Sequence, residues 1–317
     1  MASDDDMSKF FTTITPGAFR ALQQSKHGVR VVPLDATWYL PNVAKSAVDE
    51  FKRQRIAGAV YFDLDKVASE SKYPHMLPSL QQFKLAMDAL GINKDDKLVV
   101  YDRQGTFSGP RAAWTLSLYG HPKVYVLDNY LAYESHGYPI DDSKVDNVTP
   151  LPASDYEVIP EEEFKQNYEQ QVIEYDELLK LVEDGKVGSE VILLDARPHA
   201  RFTAETPEPR PGVKSGHIPR SKNLPFPKLL NEDKTFKSKQ DLVKAFADIG
   251  IDATSAEAFL GPHKEVIVSC GSGTTAVIVK FAIQNVLGLD VPVRVYDGSW
   301  SEWGDKAPEE LVVTGEA

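Results

Sequence analysis

The feature that most constrains the fold is a repeat inside the chain, because four segments of the first half recur in the same order in the second half. The matching pairs are VPLDA (32–36) with ILLDA (192–196), RIAGA (55–59) with HIPRS (217–221), LVVYD (98–102) with VIVSC (266–270), and VYVLDN (124–129) with VRVYDG (293–298). The offset within the pairs grows slowly along the chain, which indicates loop insertions in the second copy. This period is far longer than the roughly 20 to 50 residues of solenoid repeats, so we interpret the chain as a duplicated domain.

Each copy alternates short apolar strands with amphipathic helical patterns. The helices predicted in the two copies are residues 16–24, 80–90, 111–118, 175–183, 240–248 and 275–287. Such alternation predicts an α/β fold in which each copy is a doubly wound, parallel sheet that binds ligands at the carboxyl ends of its strands. We place the first domain at 8–141 and the second at 172–312, joined by a linker, 142–171, that is rich in polar residues and proline. A charge run at 161–163 fits a solvated linker or a helix start.

Composition narrows the class of protein. A chain of 317 residues with 42% hydrophobic content can build two proper cores. Its net charge of −12 argues against direct binding of nucleic acid or of an anionic membrane, and no apolar run is long enough to cross a bilayer. The N-terminal sequence MASDDDMSKFF resembles neither a secretory signal nor an ordinary mitochondrial presequence. One cysteine excludes an internal disulfide and fits a reducing compartment, so we expect a cytoplasmic protein, with a mitochondrial pool left open.

That single cysteine, Cys270, follows the apolar strand 266–268 and precedes a glycine-rich loop and an apolar helical pattern. The loop residues Gly271, Ser272, Gly273, Thr274 and Thr275 would direct backbone N–H groups toward a bound anion, and the helix start would add partial positive charge. We therefore expect Cys270 to be a thiolate nucleophile. The alternative is a buried structural cysteine, but such a residue needs neither the flanking glycines nor the helix start.

Two other loop chemistries are excluded by residue type. The loop lacks the lysine of a phosphate-binding P-loop. A cysteine phosphatase needs an arginine six positions after its cysteine, where this chain has Ala276. In the first copy Asp102 occupies the place of Cys270, and a carboxylate cannot carry sulfur. We therefore expect the first domain to be catalytically silent.

The loop CGSGTTA resembles the active-site loop of the 3-mercaptopyruvate sulfurtransferases, whose usual form is CGSGVTA and which belong to the rhodanese superfamily. Thiosulfate-preferring rhodaneses carry two basic residues after the cysteine, where this chain has Gly271 and Ser272. The segments DATWYLP and YPHMLP and the acidic N-terminus are most similar to fungal members. The resemblance implies two tandem rhodanese-like domains, each a mostly parallel sheet flanked by helices.

The resemblance also implies roles for particular residues. Arg201 and Arg210 match the two arginines that bind the keto-acid end of the substrate, although Ala200 replaces a customary glycine. His75 and Asp65 match a histidine and an aspartate that contact the loop serine, here Ser272, in a proton relay.

The spacing between aspartate and histidine is one residue shorter than usual, so Asp63 stays an alternative to Asp65. We interpret Arg197 and His217 as structural, and the segment 296–300 with Trp303 as packing residues.

The implied reaction moves sulfur from 3-mercaptopyruvate to a persulfide on Cys270 and then to a thiol, cyanide or protein acceptor, with release of pyruvate and without a cofactor or metal. The implied partners are a thiol acceptor such as thioredoxin and, if the chain is a sulfur relay for tRNA wobble-uridine thiolation, a ubiquitin-like-protein activating enzyme. Two further alternatives are a thiosulfate sulfurtransferase and a non-enzymatic interaction module with an inert Cys270.

Overall fold

The computed structural model describes residues 11–25 and 28–316. The acidic N-terminal segment and the predicted start of the first domain at residue 8 lie outside these residues. Contacts divide the chain into two compact units. The first unit comprises the chain up to Glu70 together with Leu77–Lys165 and Asp233–Thr235, and the second comprises Ser71–Met76, Gln166–Glu232 and the chain from Phe236 onward.

The first unit is built on a parallel five-stranded sheet. The strands of the unit, including two outside this sheet, are β1 (Thr12–Ile14), β2 (Val31–Asp35), β3 (Arg55–Ile56), β4 (Val60–Tyr61), β5 (Lys97–Tyr101), β6 (Val124–Leu127) and β7 (Ile140–Asp141). The helices of the unit are α1 (Pro16–Gln24), α2 (Ala47–Arg53), α3 (Leu80–Leu90), α4 (Gly109–Leu118) and α5 (Tyr130–Ser135). The sheet order is β1-β6-β5-β2-β4, while β3 and β7 form a separate antiparallel pair. Helix α6 (Glu161–Gln171) begins in the first unit and ends in the second.

The second unit repeats this plan with a parallel sheet of its own. Its strands are β8 (Val172–Ile173), β9 (Val191–Asp195), β10 (Lys222–Asn223), β11 (Glu265–Ser269) and β12 (Val293–Tyr296), and its helices are α7 (Tyr175–Glu183), α8 (His199–Phe202), α9 (Lys239–Ala247), α10 (Ala256–Leu260), α11 (Ala276–Phe281) and α12 (Ser299–Lys306). A π-helical segment, Ala282–Val286, continues α11, and 3₁₀ turns occur at Phe226–Leu229 and Glu309–Leu311.

The two sheets have the same strand order, which confirms the duplication. Read from β1, the first sheet runs β1-β6-β5-β2-β4, and read from β8 the second runs β8-β12-β11-β9-β10. Three of the repeated segments lie on strands at matching positions, namely the pairs β2 and β9, β5 and β11, and β6 and β12. The fourth repeated segment ends just before β4 in the first sheet and just before β10 in the second. β5 and β11 are therefore the central strands of their sheets, and the chains leaving Tyr101 and Ser269 emerge at the carboxyl edges, where parallel sheets bind ligands.

Local sequence signals explain where the helices begin. Thr15 Oγ accepts a hydrogen bond from the N–H of Ala18 at the start of α1. Ser79 and Gln82 form a reciprocal capping box at the start of α3. Both helices have the predicted bounds. Helix α4 begins two residues before the predicted 111, because Pro110 fits the first turn of a helix.

The segment 296–300 and Trp303 pack in the core of the second unit, as predicted. Trp300 and Trp303 are buried in a cluster with residues of β9, β11 and α7. Their indole N–H groups donate to the carbonyl oxygens of Lys214 and Leu311, at 2.8 and 3.0 Å. Buried indoles with satisfied donors stabilise α12, whose first residues contact the loop that follows β11.

Candidate active site

Cys270 is the first residue after β11, and its thiol is buried. The start of α12 holds the backbone on both sides of it. The N–H of Cys270 donates to Ser299 Oγ at 3.1 Å, and its carbonyl oxygen accepts from the N–H of Trp300 at 2.9 Å. The carbonyl oxygen of Gly271 accepts from the N–H of Ser301 at 2.9 Å. These bonds fix the position of the thiol relative to the sheet.

The loop between Cys270 and α11 offers unpaired backbone donors. Among the residues that the structure describes, the N–H groups of Ser272, Thr274 and Thr275 have no protein acceptor. All three residues are buried. Buried N–H groups that lack a protein partner are rare, and they are suited to hold an anion. The loop after Cys270 therefore has buried backbone donors that no protein group uses.

The matching loop of the first unit, which follows β5, binds an anionic side chain through its backbone N–H groups. Asp102, at the position of Cys270, is buried, and its carboxylate accepts hydrogen bonds from the N–H groups of Gln104, Phe107 and Gly109 at 3.0, 2.9 and 2.7 Å. Burial raises the pKa of Asp102, and the three hydrogen bonds oppose that rise. This loop holds a carboxylate of its own and has no thiol.

The structure brings Arg201 and Arg210 together beside the cysteine loop. A methyl group placed on Gly271 would lie 3.4 Å from Arg210 Nη1 and 3.5 Å from Arg201 Nη2. Arg201 lies on the short helix α8, and Arg210 lies in the loop that follows it. Their side chains are only 17% and 19% exposed. Two guanidinium groups next to the residue after Cys270 can bind the anionic end of a small substrate.

Glu208, which the sequence analysis missed, joins these two arginines. Its Oε2 accepts from Arg201 Nη2 and its Oε1 from Arg210 Nη1, both at 2.8 Å. Its side chain is 1% exposed. Burial alone would raise the pKa of Glu208, but the hydrogen bonds and charges of the two arginines outweigh burial and lower it. Glu208 is therefore a carboxylate at neutral pH.

His75 belongs to the second unit, within the short segment Ser71–Met76, and it is buried. Its Nε2 lies 2.8 Å from the carbonyl oxygen of Ser272 and 2.9 Å from Thr274 Oγ1. A carbonyl oxygen can only accept, so Nε2 carries the proton. The relay as predicted pairs His75 with the Ser272 hydroxyl. In the structure the hydroxyl near Nε2 is that of Thr274, and Ser272 contributes its backbone.

The aspartate of the relay stays a prediction. Asp65 Oδ2 accepts a hydrogen bond from Trp38 Nε1 at 2.8 Å. The N–H of Asp65 donates to Asp63 Oδ1 at 3.1 Å, and Asp63 forms an ion pair with Lys66 at 3.7 Å. These contacts give Asp65 a partner within the first unit, and they do not choose between the two aspartates as members of the relay.

Arg197 and His217 have structural contacts, in agreement with their interpretation from the sequence. Arg197 donates to both carboxylate oxygens of Asp195 and to the carbonyl oxygen of Gly216, and its guanidinium lies 4.4 Å from the Trp300 ring centre. His217 Nδ1 lies 2.9 Å from the carbonyl oxygen of Phe202, and burial lowers the pKa of His217. Both side chains support the loops around the site.

Two kinds of feature are absent from residues 11–25 and 28–316, a metal-binding cluster and a membrane-spanning helix. No group of three or more histidine, cysteine, aspartate or glutamate side chains there is arranged to hold a metal ion. No helix in those ranges combines the length and the apolar character needed to cross a membrane.

Comparison with known proteins agrees with this geometry. A family model described as "Rhodanese-like domain" matches residues 45–131 and 174–306. The chain is 42% identical over 306 residues to thiosulfate sulfurtransferase TUM1 of Saccharomyces cerevisiae, covering 95% of this chain and 97% of that protein. It is 36% identical over 291 residues to the probable 3-mercaptopyruvate sulfurtransferase of Schizosaccharomyces pombe, covering 90% and 91% of the two chains.

A solved structure gives the same result. The crystal structure of Tum1 from Saccharomyces cerevisiae matches with a TM-score of 0.87 and 39% sequence identity, over 97% of this chain and 99% of that one. Fold and sequence agree over nearly the whole length, which confirms the predicted fold class. The chain therefore belongs to the rhodanese family and carries two rhodanese-like domains.

Proposed function

We propose that this rhodanese-family sulfurtransferase takes sulfur from 3-mercaptopyruvate and from thiosulfate, and that Cys270 carries the sulfur as a persulfide. The observation that carries this proposal is the position of Arg201 and Arg210 beside Gly271, one residue from the only thiol of the chain. A cysteine, unpaired amide donors and two cations in one place suit the transfer of sulfur from an anionic donor.

With 3-mercaptopyruvate, the Cys270 thiolate attacks the sulfur of the substrate and an S–S bond forms. The C–S bond breaks, its electron pair leaves on the enolate of pyruvate, and the thiol proton of the substrate is transferred to that carbon. Arg201 and Arg210 hold the carboxylate and keto oxygens, which stabilises the enolate. The amides of the loop stabilise the persulfide anion.

His75 and Thr274 could carry the proton of this step. His75 Nε2 is protonated and lies against the Thr274 hydroxyl, within the loop that follows Cys270. We propose that a proton moves through this pair to the enolate as it forms. Ser272, with Asp65 or Asp63, stays in the proposal as the alternative relay.

With thiosulfate, the same thiolate attacks the outer sulfur and sulfite leaves with the electron pair of the broken S–S bond. The name of the Saccharomyces relative favours this donor, and the name of the Schizosaccharomyces relative favours 3-mercaptopyruvate. The residues after Cys270 are a glycine and a serine, which supply backbone donors and no charge. The positive charge near the thiol comes from the arginines, which either donor can use.

The second half of the cycle needs an acceptor from outside the chain, since Cys270 is the only cysteine and has no resolving partner. The acceptor thiolate attacks the outer persulfide sulfur and releases the Cys270 thiolate. We propose a small thiol, cyanide or thioredoxin as the acceptor. A ubiquitin-like-protein activating enzyme is the alternative that would connect the chain to tRNA thiolation. The proposed location is the cytoplasm, with a mitochondrial pool as the alternative.

The test is intact-mass analysis of the protein after brief exposure to each donor, together with initial rates under one acceptor. We expect the mass of one added sulfur atom in the wild type and none in Cys270→Ser, with transfer abolished for every donor. Turnover by Cys270→Ser would refute the mechanism. The absence of an adduct from both donors in the wild type would favour the non-enzymatic alternative.

A further inference from the structure

We propose that Glu208 determines whether the site prefers a singly or a doubly charged sulfur donor. Its negative charge cancels one of the two positive charges of Arg201 and Arg210. With Glu208 in place the three side chains carry a net charge of +1, which matches a donor with a single carboxylate. Without it the site would carry +2 and match a dianion such as thiosulfate. This inference rests on the proposed function.

The first support is the way the three side chains are connected. Each carboxylate oxygen of Glu208 accepts from a different arginine, Oε2 from Arg201 and Oε1 from Arg210. The backbone N–H of Glu208 donates to Ser215 Oγ at 2.9 Å, which fixes the backbone of the loop at this residue. A side chain that is 1% exposed and held at both ends keeps its charge in a constant place.

The second support is that the arginines are only partly used by this carboxylate. Arg197, a structural arginine, uses Nε and Nη2 to donate to both oxygens of Asp195 and to a carbonyl oxygen, and only its buried Nη1 has no partner among the described residues. Arg201 and Arg210 each donate to Glu208 through one terminal nitrogen. Arg201 Nε is buried and has no partner among the described residues. Donors therefore remain for a ligand beside Gly271.

The third support is the strength of a buried charge. Glu208 is out of solvent, so its charge is screened much less than that of a surface carboxylate. The two donors differ in the charge they bring to the arginines, since 3-mercaptopyruvate with a protonated thiol has one negative charge and thiosulfate has two. Removing the negative charge of Glu208 should therefore favour thiosulfate over 3-mercaptopyruvate.

The main variant is Glu208→Gln, which keeps the shape of the side chain and removes its charge. We expect the ratio of kcat/KM for thiosulfate to kcat/KM for 3-mercaptopyruvate, under one acceptor, to rise about tenfold or more. The change should lie mainly in KM, since binding of the anion is affected. Added salt should weaken thiosulfate use more steeply in the variant than in the wild type.

Two control variants separate charge from position. Glu208→Asp keeps the charge but shortens the side chain, so it should reduce kcat/KM for both donors and leave their ratio within about twofold. Glu265→Gln changes another carboxylate that pairs with an arginine, Arg294, at the opposite end of β11. This variant should leave both donors unchanged.

The outcomes distinguish failure of this inference from failure of the proposed function. If wild-type protein forms no persulfide with either donor, the proposed function itself is wrong. If the wild type forms the persulfide and Glu208→Gln has an unchanged donor ratio, or if Glu208→Asp shifts the ratio as much as Glu208→Gln does, the charge of Glu208 does not determine donor preference.

Discussion

Lys280, on α11, is a buried cation whose removal should stabilise the second unit. Its side-chain nitrogen donates to the carbonyl oxygen of Val293 at 2.6 Å, and it is 3% exposed. Burial lowers the pKa of Lys280 from 10.5 to about 7. Each pKa unit corresponds to about 1.4 kcal/mol, so this difference of 3.5 lowers the free energy of unfolding by about 5 kcal/mol below pH 7.

Replacing Lys280 by methionine removes this cost but leaves the carbonyl oxygen of Val293 without its side-chain donor, which costs about 1 to 3 kcal/mol. At pH 7 we therefore expect Lys280→Met to raise the free energy of unfolding by about 2 to 4 kcal/mol. Between the folded and the unfolded pKa values, the unfolded chain binds a proton that the folded chain does not. The stability of the wild type thus rises with pH in this range, and the advantage of the variant shrinks.

The assay is urea denaturation of both proteins at several pH values, followed by tryptophan fluorescence. Trp300 and Trp303 report on the second unit, and the signal of Trp38 and Trp114, which lie in the first unit, is the same in both proteins. From pH 7.5 to 9.5 the difference between variant and wild type should fall by about 2.5 kcal/mol. Gln284→Met is the matched control, since it also removes a side-chain donor to a carbonyl oxygen, that of Val291, but no titrating group. A difference between Lys280→Met and wild type that stays constant with pH would refute the reasoning.

Two further predictions concern the loops after the central strands. Gly271→Ala places a methyl group 3.4 to 3.6 Å from the arginine nitrogens. It should leave the free energy of unfolding nearly unchanged but raise KM for 3-mercaptopyruvate severalfold. An unchanged KM would mean that substrate does not approach Gly271. Asp102→Ala leaves three buried N–H groups without an acceptor, so it should destabilise the first unit by about 2 to 5 kcal/mol, measured by urea denaturation, while persulfide formation at Cys270 persists. Loss of the persulfide in that folded variant would contradict the expectation of a silent first loop.

The sequence predicts the framework well wherever local signals and periodicity agree. Helices α1, α3 and α7 have the predicted bounds, and the repeat predicts two sheets of one topology. Helix α6 was not predicted, because it lies in the expected linker and none of its residues is buried. A polar helix has no apolar stripe for periodicity to detect. The charge run at 161–163 does begin this helix, which was one of its two interpretations.

The sequence predicts which residue types form the site, but it does not predict the hydrogen bonds and ion pairs between them. Cys270, Arg201 and Arg210 carry recognisable patterns. Glu208 is missed because an acid between two arginines is typical of a surface ion pair, and only the fold shows that it is buried. The one available signal was the position of Glu208 between two prolines, Pro207 and Pro209, in the loop that carries Arg210.

The partner of His75 was equally inaccessible from the sequence. A glycine-rich loop can direct its hydroxyl groups in several ways, and the spacing of Ser272 and Thr274 does not say which one meets the imidazole. The backbone of His75 has a φ of 37°, in the left-handed region, which a histidine seldom adopts and which no pattern in the sequence predicts.

The carboxylate of Asp102, held by three backbone donors, has a consequence for how the two halves diverged. A descendant that acquired cysteine at this position would lose all three hydrogen bonds to the carboxylate at once. Selection for stability would therefore oppose the first step of a return to chemistry. The free energy that these three hydrogen bonds contribute therefore favours keeping an aspartate at position 102, whatever happens to the loop of the second half.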